Sequence, residues 1–207
     1  MYIYTLGLIG TFAFAVFGAN IAIRKKLDIF GVLVCAFITA LGGGTLRSML
    51  LGEAPFYFTN NTYILTVALG MVFAIFTYKY FQKIKKAILL IDAVGLSTFA
   101  LVGAEAGARA GFGVFAITFL AIVTAVGGAL IRDAVIHELP SILHEGLYAT
   151  PAAFIGLMYG IFGSLQHNQV FVVSILVGGY LIRLTSIYWR TGMWRPSNTL
   201  ITDLNDI

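Results

Sequence analysis

The stretch AFITALGGGTLRSML, residues 36–50, places Gly42, Gly43 and Gly44 in the middle of an apolar run and Arg47 one helical turn later. TAVGGALIRDAV, residues 124–135, repeats the arrangement with Gly127, Gly128 and Arg132. Glycine weakens a helix by about 1 kcal/mol relative to alanine, and an arginine at the centre of a bilayer costs about 2.5–3.5 kcal/mol on insertion scales. Both features are unfavourable in a plain membrane span, and they occur twice.

The surrounding composition sets the environment. The chain of 207 residues is 59% hydrophobic and 11% charged, with a mean hydropathy of +0.93, far from the roughly 45–50% apolar and 25% charged content of soluble domains. Apolar runs at 2–23, 30–51, 62–80, 88–108, 113–136, 147–163 and 169–188 approach the ~20 residues needed to cross a bilayer. The reading is an all-α integral membrane protein with seven transmembrane helices and a tail at 191–207. The first run is not a signal peptide, because Arg24, Lys25 and Lys26 follow it rather than precede it. Cys35 is the single cysteine, so there is no disulfide framework and no metal-ligand spacing.

Positive charge orients the chain. With seven spans, one side collects Arg24, Lys25, Lys26, Lys79, Lys83, Lys85, Lys86, Arg183, Arg190 and Arg195, and the other only Arg109. Short cytoplasmic loops gather Lys and Arg, so the amino terminus is expected outside the plasma membrane and the carboxyl terminus in the cytoplasm. The net charge of +4 is a topology signal and needs no nucleic acid; the Lys79–Lys86 cluster also suits anionic lipid head groups.

Set against itself at an offset of 85, the chain pairs Gly10 with Gly95, Phe14 with Phe99, Gly18 with Gly103, Arg24 with Arg109, Thr39 with Thr124, Arg47 with Arg132, Glu53 with Glu138 and Pro55 with Pro140. Fifteen positions between 10 and 55 are identical without a gap, which marks an internal duplication. Each copy, 2–80 and 88–163, holds three spans, and an odd number forces the second to enter from the opposite side. Two inverted three-helix repeats are typical of transport proteins with sites near the midplane on interrupted helices. The span 169–188 has no partner and is expected at the periphery or against another subunit.

A helix broken at the glycines frees carbonyls and N–H groups, which at membrane depth is tolerated only against protein or water; close helix packing is the alternative use of small residues. Arg132 and Asp92 are expected to share a depth and pair, and Arg47 to be balanced by Glu105 or Glu53. Asp133 follows Arg132 directly, and adjacent helix residues point apart, so it is expected to face another helix or a pore mouth. Asn20, the counterpart of Glu105, suits a hydrogen bond across helices. His137, His144 and His167 stand near helix ends without ligand spacing. No Ser/His/Asp set, Walker loop or paired carboxylates can be assembled, which argues against an enzyme and requires no cofactor.

GGGTLRSML and VGGALIRDAV…ELPSILHEGLYATPAAFIG resemble the duplicated GGG-x-x-RD-x-L segments of the prokaryotic trimeric intracellular cation channel family, also described as a glycine transporter family. IDAVGLSTFALVGAEAG, residues 91–107, is similar to its fourth-helix signature. The resemblance covers about residues 5–190 and implies a homotrimer with one pore per subunit, lined by second and fifth helices kinked at Gly42, Gly43, Gly44, Gly127 and Gly128. Arg47, Arg132, Asp133 and Asp92 would be its charged positions, with Thr45, Ser48 and Glu105 as polar contributors. Ser48 stands where the family's first copy usually has Asp, and Ala129 replaces the third glycine of the second copy. The expected function is a passive channel for potassium or sodium ions, its path lined by dipoles and hydroxyls that replace part of the hydration shell. The alternative is a carrier for glycine or another small zwitterion, whose carboxylate an arginine or a helix N-terminus would hold.

Overall fold

The computed structural model describes residues 2–83, 85–144, 147–165 and 168–189, and side chains within these apart from those of Tyr2, 81–86 and His144. The expected cytoplasmic tail, His167, Arg190 and Arg195 lie outside the described residues. The described chain is helical: α1 Tyr2–Arg24, α2 Ile29–Leu50, α3 Phe56–Thr59, α4 Thr62–Lys83, α5 Lys85–Arg109, α6 Val114–Val135, α7 Ser141–His144, α8 Thr150–Ile161 and α9 Gln169–Trp189, with a 3₁₀ turn at Gly163–Leu165.

Six of these helices are long and apolar enough to cross a membrane. The sixth expected span, 147–163, shortens to the twelve residues of α8, about 18 Å at 1.5 Å per residue, well under the ~30 Å of a hydrocarbon core. Its limits have local causes. Pro151 occupies the first turn of α8, where a missing N–H costs nothing, and residues 147–149 before it are bent rather than helical.

α1, α2, α5 and α6 form the centre, with α4 against α1, α8 against α5 and α6, and α9 against α8 and α5. Local geometry recurs at the offset of 85. The chain leaves α1 through Lys26 at φ 58° and α5 through Gly111 at φ 76°; it leaves α2 through Gly52 at φ 69° and α6 through His137 at φ 55°. These are left-handed helix-ending positions, and each pair is one sequence position and its counterpart. Asp28 caps α2, accepting a 2.7 Å hydrogen bond from Gly31 N, and its counterpart Gly113 precedes α6. The short helices α3 and α7 are likewise counterparts.

Candidate functional site

Glycines determine how the central helices meet. A Cβ at Gly43 would run into the Thr124 carbonyl, and one at Gly128 into the Thr39 carbonyl. Likewise, a Cβ at Gly42 would lie 3.1 Å from Gly128 Cα and one at Gly127 3.2 Å from Gly43 Cα. These contacts exchange partners under the offset, and they pair higher numbers in α2 with lower ones in α6, so the helices cross antiparallel. α1 and α5 behave in the same way: Gly10 faces Phe99, Gly95 faces Phe14, and the two rings sit 5.2 Å apart.

The expected break in the ladder does not occur. α2 and α6 remain α-helical through Gly42–Gly44 and Gly127–Gly128, and the small residues serve close main-chain approach. Thr39 and Thr124 at the crossing each return their hydroxyl to a carbonyl four residues back, Cys35 and Leu120, at 2.6 Å. Gly44 faces Phe56 of α3 rather than α6.

The crossing separates two cavities. The first, about 460 Å³, is lined by Tyr4, Arg47, Phe56, Tyr63, Glu105 and Arg109 among others, at the end where α2 and α5 finish. The second, about 440 Å³, is lined by Arg24, Lys25, Asp133, Glu138 and Ser141 among others, where α1 and α6 finish. Lys25 and Glu138 form a half-exposed ion pair at its rim.

At the second cavity Arg132 is fully buried, and its partner is the residue beside it. Nε and Nη2 donate to Asp133 Oδ1 at 2.9 and 2.6 Å, while Asp133 Oδ2 accepts from Ser141 N at 2.9 Å. The guanidinium lies 5.1 Å from the centre of the Phe17 ring. This corrects two expectations, the pairing of Arg132 with Asp92 and the divergence of Arg132 from Asp133. The divergence rule describes Cβ directions, whereas the long arginine stem in the last turn of α6 curls back to its neighbour.

Asp92, 0% exposed, pairs instead with Arg183 of α9, 2% exposed, at 3.3 Å. Tyr148 donates to Asp92 Oδ1 at 3.0 Å, and its ring lies 4.3 Å from the Arg183 guanidinium. Arg183 is therefore a core residue rather than a loop charge. Its signal in the sequence is a lone arginine deep in the apolar run 169–188.

At the first cavity neither Glu105 nor Glu53 forms the expected ion pair with Arg47. Arg47 is 8% exposed, its Nε is buried without a hydrogen bond, and its guanidinium lies 5.4 Å from the centre of the Phe56 ring. Glu105 sits 3.8 Å from Arg109, one turn away on α5. Thr45 donates to the Leu41 carbonyl at 2.8 Å and meets the Tyr57 hydroxyl at 3.2 Å, so it braces α2 against α3. Ser48 is buried. Asn20 donates to Val16 O at 2.8 Å, within its own helix, and its Oδ1 is buried and unpaired.

The profile of the glycine transporter family matches residues 4–79 and again 89–164, and the two matches begin 85 residues apart. The UPF0126 inner membrane protein YadS of Escherichia coli K12 is 33% identical over 194 residues, covering 92% of this chain and 94% of that protein. A chain from a structural study of conductance through TRIC cation channels superposes with a TM-score of 0.87 at 32% identity, covering 95% of this chain and 98% of that one. The trimeric intracellular cation channel orthologue of Rhodobacter sphaeroides superposes with a TM-score of 0.84 at 30% identity, covering 91% and 98%. These similarities are to channels and transporters, not to enzymes. With both halves matched by its profile, the chain belongs to the glycine transporter family, which includes UPF0126 membrane proteins and shares the fold of the prokaryotic TRIC channels.

Proposed function

We propose that this protein is a passive channel for monovalent cations, potassium and sodium, that each subunit of a homotrimer carries its own path, and that the path joins the two cavities through the α1, α2, α5 and α6 core. The carrying observation is the arrangement itself: two polar cavities at opposite ends of one four-helix core, meeting at the reciprocal crossing of Gly43 and Gly128. In support, the solved structures that superpose over nine-tenths of the chain are of cation channels, one described as trimeric. The reciprocal contacts support two three-helix units inserted in opposite senses.

The chemistry of the second cavity tolerates cations. Asp133 neutralises Arg132, and the lining carries two carboxylates, Asp133 and Glu138, beside Arg24 and Lys25. With Glu138 on Lys25 and Asp133 on Arg132, a cation entering there meets no uncompensated buried guanidinium. The crossing is the constriction. Because glycine backbones rather than side chains form it, a small separation of α2 from α6 exposes carbonyl oxygens, the ligands that replace an alkali ion's hydration shell. The protein would sit in the bacterial inner membrane with its amino terminus outside, as the lysine and arginine distribution favours.

A second reading, a carrier for glycine, has the family's description behind it and a first cavity lined by both the buried Arg47 and Glu105. Reconstitution of the purified protein separates the two: unitary potassium currents support the channel, and saturable glycine uptake without them supports the carrier.

A further inference from the structure

The two halves of the molecule solve one electrostatic problem differently. In the second half the buried Arg132 is matched by the carboxylate of Asp133. In the first half the counterpart of Arg132 is Arg47 and the counterpart of Asp133 is Ser48, a neutral residue. Arg47 is more than nine-tenths buried and has no hydrogen-bond or ion-pair partner among the described residues; its buried Nε is orphaned. A buried charge without a partner is costly. The side chain nevertheless borders a cavity of about 460 Å³, whose other charged lining residues, Glu105 and Arg109, lie 3.8 Å from each other.

We infer that the first cavity holds a small carboxylate anion on Arg47, supplied from solution, in the role that the Asp133 side chain fills on Arg132. The internal duplicate is the template: one carboxylate oxygen, Asp133 Oδ1, accepts from both Nε and Nη2 of Arg132, and such charge-assisted hydrogen bonds are the strong ones between guanidinium and carboxylate. The Phe56 ring against one face of Arg47 holds the guanidinium plane and leaves its edge to the anion. Glu105 leans to Arg109 and disfavours a ligand with more than one negative charge. A monocarboxylate the size of formate or acetate fits the charge balance, with one free cation met by one anion. Occupied, the cavity stops repelling cations and matches its counterpart; empty, Arg47 is an electrostatic barrier at one end of the path.

The site is tested by saturation-transfer NMR on acetate with the full-length protein purified in detergent, at fixed pH and chloride. The wild type is expected to give a saturable acetate signal that formate displaces. Ser48→Asp supplies the missing carboxylate within the chain, so it is expected to keep the wild type's elution position and to weaken acetate binding by at least about tenfold. Arg47→Gln is expected to abolish binding. The proposal fails if the wild-type signal does not saturate, or if a folded Ser48→Asp protein binds acetate as tightly as the wild type. It also fails if glycine displaces acetate at lower concentration than formate does, since the cavity then recognises a zwitterion.

Discussion

Arg183 reaches 91 residues back along the chain to place Nη2 3.3 Å from Asp92 Oδ2, with both side chains buried. This contact ties α9, the helix without a counterpart, to α5 in the four-helix core, and Tyr148 just before α8 closes over the same carboxylate. Breaking such a pair from one side leaves a buried charge, at a cost of about 3–5 kcal/mol, whereas replacing both partners by apolar groups is often close to neutral. Arg183→Met is therefore expected to lower the thermal stability of the detergent-purified protein more than Asp92→Leu combined with Arg183→Met. A double variant less stable than the single one would show that the pair contributes net stability.

The reciprocal crossing makes two distant substitutions equivalent. Gly43→Ala and Gly128→Ala each drive a methyl group into a carbonyl of the facing helix, and overpacking of this kind costs about 1–3 kcal/mol. Both are expected to depress the melting temperature by similar amounts. Gly113→Ala, with nothing within 4 Å of the added carbon, is expected to change stability by less than about 0.5 kcal/mol.

Asp133 and Glu138 line the same cavity but in different settings. Asp133→Ala strands the buried Arg132 and removes the acceptor of Ser141 N, with an expected loss of about 3–5 kcal/mol. Glu138→Gln releases a pair whose side chains are 46% and 44% exposed, an arrangement worth about 0–1 kcal/mol. Parallel thermal melts of the two variants decide whether Asp133 is the structural counter-charge of Arg132.

Topology is open to labelling. With Cys35→Ser as background, cysteines at Asn61 and Ala110 are expected to react with an impermeant thiol reagent from one side of the membrane, and cysteines at Lys26 and His137 from the other. All four positions are exposed, and they flank the first and second cavities respectively. Labelling of all four from one side would overturn the opposed insertion of the two halves.

What was legible in the sequence was whatever repeats or alternates locally. The glycines of α2 and α6 and their arginines stand out once the chain is set against itself. The glycines' task was not legible, because a helix cost at Gly43 reads the same whether the helix opens or a neighbour presses on it. The partners of the charges were not legible either. Depth matching brought Asp92 to Arg132, yet depth does not specify which helix lies nearest, and α9 with Arg183 had no counterpart to guide its placement. The twelve residues of α8 read as a full span because the apolar composition continues past both of its ends.

Currents through the purified protein in a planar bilayer, bathed in unequal potassium chloride solutions, test the channel reading most directly. The expected result is discrete unitary currents that reverse toward the potassium equilibrium potential, persist when sodium replaces potassium, and fall in Gly43→Leu and Gly128→Leu proteins that still assemble. Silent bilayers from protein that takes up glycine saturably in liposomes would contradict it.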